Sequence, residues 1–501
     1  MRRVLRSSQA PRDGGFERVY RKWPELLALV AFVSICVVLV PRHEPWADEA
    51  QSWMLAKSCG FSELIFHKLG YEGTPGLWVT VLYPFAHLGA PYIVLNWMGA
   101  AFAAAGVALL LWRSPFPRFI RLLLPFTFFL QYQYAIISRS YCMLMLLGGA
   151  CAYFFRKGRS HLVPFTLCAV VLAQLSLHAL ILACCMALAF AVRQDLFEQL
   201  RYGRGQRAAI LSCAGFFAAS IAFAIYVAHD AHALYEPEVP LGLYWRFPIS
   251  DGLPLIADTM RTALEFALTG SCISGFVFLV LLTLWLAQRE ALLEALPLAA
   301  IALFFGIFYF HGHHSGILTV TLFVVLWMVW PRERQPLYSL HTLFLVAFTG
   351  MLLVQIGWTR FCIVSDYKLP YSGAADAARL IHQIPNDAKV FSYGFFTVGL
   401  QPYFDHQRFA NLPQEQRYWN LRDDNTVDGD IKRLASEKPE WVIDTGVAEE
   451  KYFGRLKPIL RRDYHLVRMD CGTQFFQDSF YVASCYGMYH RKDAQQSVKM
   501  R

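Results

Sequence analysis

Charged residues are scarce in this chain of 501 residues. They make up 17% of the sequence, whereas a soluble globular protein carries about 25%. Hydrophobic residues reach 56% and aromatic residues 15%, and the mean hydropathy is +0.35. This balance excludes an ordinary soluble protein and indicates a chain that is solvated largely by lipid.

Several short motifs are also absent. No Cys-x-x-Cys pair occurs among the 12 cysteines, so neither a zinc ribbon nor a redox motif is indicated. The lack of an Asn-x-Ser/Thr acceptor favours a bacterial inner membrane over the endoplasmic reticulum. Cys471 and Cys485 lie in the more polar C-terminal part, where they either form a disulfide on an oxidising side or remain two free thiols.

The net charge of +9 comes from short basic clusters between apolar runs. The positive-inside rule predicts such clusters in the cytoplasmic loops of a membrane protein, so we expect no nucleic-acid partner. The first apolar run, residues 24–40, follows seven Arg and Lys residues and is predicted to be a signal anchor with a cytoplasmic N-terminus.

Apolar runs predict about 11 transmembrane helices, because a helix needs about 20 apolar residues to cross the hydrocarbon core. With eleven spans, every basic cluster is cytoplasmic, and the loops 42–91 and 229–261 and the C-terminal tail are extracytoplasmic. The predicted spans are residues 24–41, 92–112, 119–136, 141–155, 161–178, 179–193, 208–228, 262–286, 290–310, 315–330 and 338–358.

Two further segments complete the predicted architecture. Residues 76–89 are apolar but too short to span the membrane. Counting them as a span would move the later basic loops to the outer side, so we interpret them as a re-entrant or interfacial helix. A short true span is the alternative.

After residue 358, short strand-like runs alternate with amphipathic helices. The expected fold is an all-α polytopic membrane domain, residues 1–358, with a small C-terminal α/β domain, residues 359–501.

Acidic residues in the first outer loop are candidates for catalysis. Asp48 and Glu49 lie between Trp46 and Trp53, a few residues beyond the first span. A transferase that uses a hydroxyl acceptor needs a base, and neighbouring helical side chains point about 100° apart, which gives the two acids different roles. The alternative is that both stabilise the N-terminus of a helix. Glu72 follows in the second half of the same loop, before the turn sequence Gly-Thr-Pro-Gly.

Basic and imidazole side chains are expected at the same membrane face. Arg139 and Tyr141 follow the third span, where the guanidinium suits phosphate recognition or pairs with the acids of the first loop. The remaining candidates are the histidines His178, His311, His313 and His314. The cluster at residues 311–314 forms a phosphate site, a zinc site without a fourth ligand, or an interfacial loop, whereas a histidine at the outer end of the fifth span is either functional or merely reaches the interface. Because the topology places all these residues at one depth, we predict that they share one pocket.

The order of three motifs resembles the GT-C superfamily of glycosyltransferases, in the branch of protein O-mannosyltransferases and aminoarabinose transferases. The motifs are Asp48-Glu49 within WADEA, the sequence GTPGLW, and Arg139-Ser140-Tyr141. The resemblance covers residues 20–200, and the rest by architecture alone. It implies a polyprenyl-phosphate-sugar donor and inverting transfer of a hexose or pentose. It also implies that Asp48 is the general base.

The sequence departs from this family in two places. Gly-Thr-Pro replaces the usual His-Pro-Pro, and apolar or small residues stand where an acid often precedes the arginine. The resemblance therefore does not establish dependence on a divalent cation, and no cofactor is predicted. The expected partners are the lipid-linked donor and a lipid, glycan or protein acceptor.

Two other classes of function remain as alternatives. A transporter or flippase of lipid-linked sugars would favour polar residues at the bilayer midplane and paired repeats. The candidates here gather at one face and no repeat is found, which favours an enzyme. A non-catalytic membrane scaffold is the third class.

Overall fold

The computed structural model describes residues 22–70, 72, 74–201, 203–228, 249–333, 335–419, 427–445 and 450–493. It is mostly helical, at 68%, with a small C-terminal sheet, as the sequence predicts. The basic N-terminal segment and most of the predicted outer loop 229–261 lie outside the described residues.

Helices make up most of the chain before the C-terminal sheet. Four of the described helices are long and apolar enough to cross a membrane, or five if one bent pair counts as a single span. The helices are α1 Trp23–Leu39, α2 Ala47–Ser58, α3 Leu77–His87, α4 Val94–Arg113, α5 Arg118–Leu123, α6 Leu144–Lys157, α7 Leu162–Ala173, α8 Leu177–Arg193, α9 Leu196–Gln199, α10 Arg204–Val227, α11 Ile249–Leu268, α12 Cys272–Ala287, α13 Leu296–Ile307, α14 Ser315–Val329 and α15 Leu340–Lys368.

Two predicted spans are not continuous α-helices in the structure. Residues 119–136 do not form one α-helix, because α5 passes into a 3₁₀ turn that contains Pro125 and then into a π-helix, Phe128–Gln133. Residues 262–286 are two helices that meet at 85°, since the chain turns at Gly270 with φ +68° and packs there against Trp358. The count of about 11 spans stays a prediction.

The short helix α3 matches the element expected at residues 76–89. It has 11 residues and is therefore about 16 Å long, too short to cross the hydrocarbon core. It begins after Gly76, whose φ of +96° suits glycine and whose missing side chain leaves room for Leu69. Its location at a membrane surface stays a prediction.

The C-terminal part forms the expected small α/β unit. Strands β1 to β4 form one sheet in the order β1-β2-β4-β3, in which β1 and β2 are parallel and the other pairs are antiparallel. Apolar side chains on both faces pack against helices. The elements are α16 Ala374–Ile381, β1 Val390–Tyr393, α17 Thr397–Leu400, α18 Val427–Glu437, β2 Trp441–Asp444, α19 Glu450–Asp463, β3 Tyr464–Phe476 and β4 Ser479–Arg491.

This sheet unit packs on one end of the helices. The turn after β3 contacts two of them, because Gln477 donates to the carbonyl of Phe266 at 2.8 Å and accepts from the thiol of Cys362 at 3.2 Å. A disulfide between Cys471 and Cys485 joins β3 to β4, which is one of the two alternatives left open by the sequence. Helix α15 continues to Lys368, beyond the predicted domain boundary at residue 358. The division into two domains stays a prediction.

Candidate functional site

The centre of the candidate site is an ion pair between Asp48 and Arg139. Nη1 of Arg139 lies 3.1 Å from Oδ2 of Asp48, and each side chain is about a quarter exposed, at 22% and 24%. The pair is therefore within reach of a ligand while protein surrounds most of it. Burial raises the pKa of the Asp48 carboxyl, and the Arg139 guanidinium opposes that shift.

Each partner is fixed by local structure. Asp48 lies in the first turn of α2, where an acidic side chain is stabilised by the helix dipole. Arg139 belongs to a nonhelical segment that packs closely on α4, since a Cβ atom at Gly99 would lie 3.1 Å from the Cβ of Ser138. A glycine at this position is therefore what allows the arginine segment to approach.

The histidines surround the ion pair. Nη1 of Arg139 lies 2.5 Å from Nε2 of His313, whose ring stacks with that of His311 at 5.8 Å between centroids. The ring of His314 is 4.2 Å from that of His313, and Nδ1 of His314 accepts the backbone N–H of His311 at 3.2 Å. Burial lowers the pKa of His311, which favours its neutral form.

His178 is brought to the same cluster by the start of α8. Ser176 caps this helix by accepting the backbone N–H of Ala179 at 3.1 Å, which turns His178 toward His314, at 5.5 Å between ring centroids. The side chain is buried, and neither ring nitrogen has a hydrogen-bond partner among the described residues. A buried polar group of this kind destabilises the fold unless a ligand or a water molecule supplies the missing hydrogen bonds.

Aromatic rings cover the guanidinium of Arg139. Its central carbon lies 5.5 Å from the ring centroid of Tyr141 and 5.9 Å from that of Trp46, both within cation–π range. Tyr134 donates its hydroxyl to the carbonyl of His313 at 3.3 Å, which ties the histidine segment to the arginine segment.

Glu72 reaches the border of this cluster. Its Oε1 accepts from Gln51 at 2.7 Å, and the amide of Gln51 also exchanges two hydrogen bonds of 2.8 Å with the backbone of Trp419. Burial raises the pKa of Glu72 to about 7, and the nearby charge of Asp48 adds to this shift. Gln51 therefore links both Glu72 and helix α2 to the segment of Trp419.

Comparisons with known proteins give a likeness in structure but none in sequence. The sequence matches no protein-family model and no curated protein. The fold is similar to the crystal structure of ArnT from Cupriavidus metallidurans in the apo state. The two chains are 13% identical, with a TM-score of 0.48, and the match covers 94% of this chain and 98% of ArnT.

Glu49, the second predicted catalytic acid, points away from Asp48. Its side chain has no exposed surface. Oε1 accepts the backbone N–H of Ser138 at 2.7 Å and the amide of Asn96 at 3.2 Å, while Oε2 accepts the backbone N–H of Trp46 at 3.1 Å. This geometry favours a role in fixing the site over contact with a substrate.

The structure thus brings together the predicted residues Asp48, Arg139, Tyr141, His178 and the histidine segment 311–314. Sequence reasoning missed Asn96 and Tyr134, which lie within apolar runs that carry no motif. Within the described ranges, no three His, Cys, Asp or Glu side chains are arranged to hold a metal ion.

Proposed function

We propose that this protein is a membrane glycosyltransferase that moves a sugar from a polyprenyl-phosphate donor to an acceptor hydroxyl, with inversion at the anomeric carbon. The observation that carries the proposal is the partly exposed pair of Asp48 and Arg139 beside the unpartnered imidazole of His178. A base, a cation and free hydrogen-bonding capacity meet at one point, as transfer from an anionic donor requires.

The donor phosphate is assigned to Arg139 and its imidazole neighbours. A guanidinium presents several N–H donors in a fixed plane, which suits the oxygens of a phosphate. Donor binding would draw Arg139 away from Asp48, and His178 would gain a partner. As the bond between the anomeric carbon and the phosphate oxygen breaks, the leaving polyprenyl phosphate gains negative charge next to these donors.

Asp48 is assigned as the general base. Its carboxylate takes the proton of the acceptor hydroxyl while the acceptor oxygen forms a bond to the anomeric carbon from the side opposite the phosphate. Burial raises the pKa of Asp48, which makes the carboxylate a stronger base once donor binding has withdrawn Arg139. Glu72 orients hydroxyl groups at the rim of the site in this scheme.

An extracytoplasmic site in a bacterial inner membrane is part of the proposal. The basic loops support this orientation through the positive-inside rule. The disulfide of Cys471 with Cys485 supports it as well, because disulfides persist in oxidising compartments. The domain that carries the disulfide packs beside the site, so both would lie on the same side of the membrane.

Turnover with purified protein tests the proposal. The protein, reconstituted in nanodiscs, is incubated with a panel of polyprenyl-phosphate sugars, and released polyprenyl phosphate is measured by mass spectrometry. Release with at least one donor and a hydroxyl acceptor is expected. A transporter of lipid-linked sugars would instead move donors across vesicles without release, and that result would overturn the proposal.

The substitution Asp48→Asn tests the base. It keeps the size of the side chain and removes its basicity, so we expect the rate to fall by at least about 100-fold with an unchanged melting temperature. Asp387→Asn, at an exposed position of the C-terminal domain, is the matched control and retains full activity. Undiminished turnover by the Asp48 variant would remove Asp48 from the mechanism.

A further inference from the structure

A buried charge network lies behind the Asp48–Arg139 pair. His43, in the connection between α1 and α2, places one ring nitrogen 3.3 Å from Oε2 of Glu49 and the other 2.9 Å from Oδ2 of Asp366. The side chains of all three residues have no exposed surface.

The two carboxylates belong to separate parts of the fold. Glu49 lies in α2, whereas Asp366 lies in the last turns of α15, just before the C-terminal domain. Asp366 also accepts the hydroxyl of Tyr132 at 3.1 Å, and the ring of Tyr371 lies 4.7 Å from that of His43. His43 is thus the connection between the first outer helix and the end of the last apolar helix.

Charge explains why a histidine is required there. Two buried carboxylates without a cation are strongly destabilising, whereas one cation between them leaves a net charge of −1. Burial alone would lower the pKa of His43, but the carboxylates of Asp366 and Glu49 outweigh it and raise the pKa to about 10. Both ring nitrogens then donate, which matches the two acceptors.

The network reaches both partners of the ion pair through Glu49. One oxygen of Glu49 holds the backbone N–H of Ser138, the residue before Arg139, and the other holds the backbone N–H of Trp46, two residues before Asp48. A single carboxylate therefore sets the distance between the base and the cation.

We propose that His43 is a positioning residue, which holds Glu49 by charge and thereby keeps Asp48 and Arg139 in register against the end of α15. Its effect on turnover rests on the proposed function, whereas its effect on geometry does not. The charge account predicts that His43→Gln leaves a buried charge of −2 and that adding Asp366→Asn restores −1.

A cross-linking cycle tests this proposal without any donor. The pair D48C/R139C is introduced into four backgrounds: native, H43Q, D366N and H43Q/D366N. The rate of disulfide formation between the two positions is followed by mass spectrometry of the linked peptides. We expect a severalfold slower rate in H43Q and recovery of most of the loss in H43Q/D366N. Equal rates in all backgrounds, or no recovery in the double variant, would overturn the proposal.

Turnover and folding provide the accompanying readouts. In proteins that retain Asp48 and Arg139, H43Q is expected to lower kcat more than it changes KM for the donor, with partial recovery in H43Q/D366N. His406→Gln, at an exposed position, is the control and changes neither value. If H43Q does not fold, recovery of folded protein in H43Q/D366N supports the charge account, and failure to recover it overturns the account. Absence of turnover in the native protein would count against the proposed function alone.

Discussion

Two arginine–carboxylate pairs lie at opposite ends of the helices and differ in how completely they are satisfied. Arg193 and Glu294 form a two-point contact, Nε to Oε1 at 2.5 Å and Nη2 to Oε2 at 3.0 Å, and the carboxylate is only 4% exposed. Asp48 and Arg139 share a single contact and are each about a quarter exposed. Both carboxylate oxygens of the first pair already accept from the guanidinium and are buried, whereas the second pair is exposed enough to accept a ligand.

This difference teaches that a charged pair in a membrane protein is not by itself a functional signal. Burying a charge is unfavourable unless it is paired. At one end of the helices the carboxylate forms a two-point ion pair, and at the other end it forms a single contact that stays partly exposed. We infer a function for the second pair from its surroundings. The main observation is that the imidazole of His178 has no hydrogen-bond partner among the described residues.

The sharpest test of the comparison replaces Arg139. Arg139→Met removes the proposed phosphate contact, so kcat/KM for the donor should fall by roughly 100- to 1000-fold. Arg139→Lys keeps the charge but loses the planar set of donors, and it should recover only part of the loss. Kinetics with the purified protein give both values. Full activity of the Met variant would contradict a role of the Asp48–Arg139 pair in catalysis.

Replacing Arg193 should affect stability instead of chemistry. Arg193→Leu leaves the buried carboxylate of Glu294 without its partner, which should destabilise the fold by about 1–3 kcal/mol. The melting temperature should fall while kcat of the folded protein stays unchanged. Arg201→Leu, at an exposed position nearby, is the matched control. Loss of kcat at an unchanged melting temperature would contradict this assignment.

His178→Phe tests whether the ring nitrogens of His178 form hydrogen bonds with the donor. The ring shape is kept and both nitrogens are lost, so the variant should bind the donor more weakly, by about tenfold in KM. Its melting temperature should be unchanged or higher, because an unpartnered polar group has been removed. His87→Phe, at an exposed position of α3, serves as the control. A lower melting temperature with unchanged KM would indicate a purely structural histidine.

The smallest expected effect is a pH shift in Glu72→Gln. A base must be deprotonated, so kcat/KM should rise with pH through the pKa of Asp48. The charge of Asp48 raises the pKa of Glu72, and repulsion between two carboxylates acts on both of them. Removing Glu72 should therefore move the rising limb toward lower pH by less than about one unit. Glu415→Gln, in an exposed segment, should leave the profile unchanged. A shift in the opposite direction would show that the two carboxylates do not interact as proposed.

Much of the fold followed from local patterns. Apolar runs predicted most helices of the N-terminal part, and short strand-like runs after residue 358 predicted the strands of the C-terminal sheet. Two predicted spans are not continuous α-helices, because turns at Pro125 and Gly270 interrupt runs that remain apolar on both sides. Hydropathy averages over a window, so it does not detect a bend whose flanks are equally hydrophobic.

The sequence by itself determined which residues carry charge within apolar surroundings, because a polar side chain among apolar residues is visible without any structure. It thereby indicated Asp48, Arg139 and the histidines as one set. Only the tertiary structure decided that Glu49 faces inward and that His43 joins Glu49 to Asp366. It also decided that the imidazole of His178 has no hydrogen-bond partner within the described part of the chain. Those facts depend on the direction of side chains and on contacts across more than 300 residues of chain, which no local pattern contains.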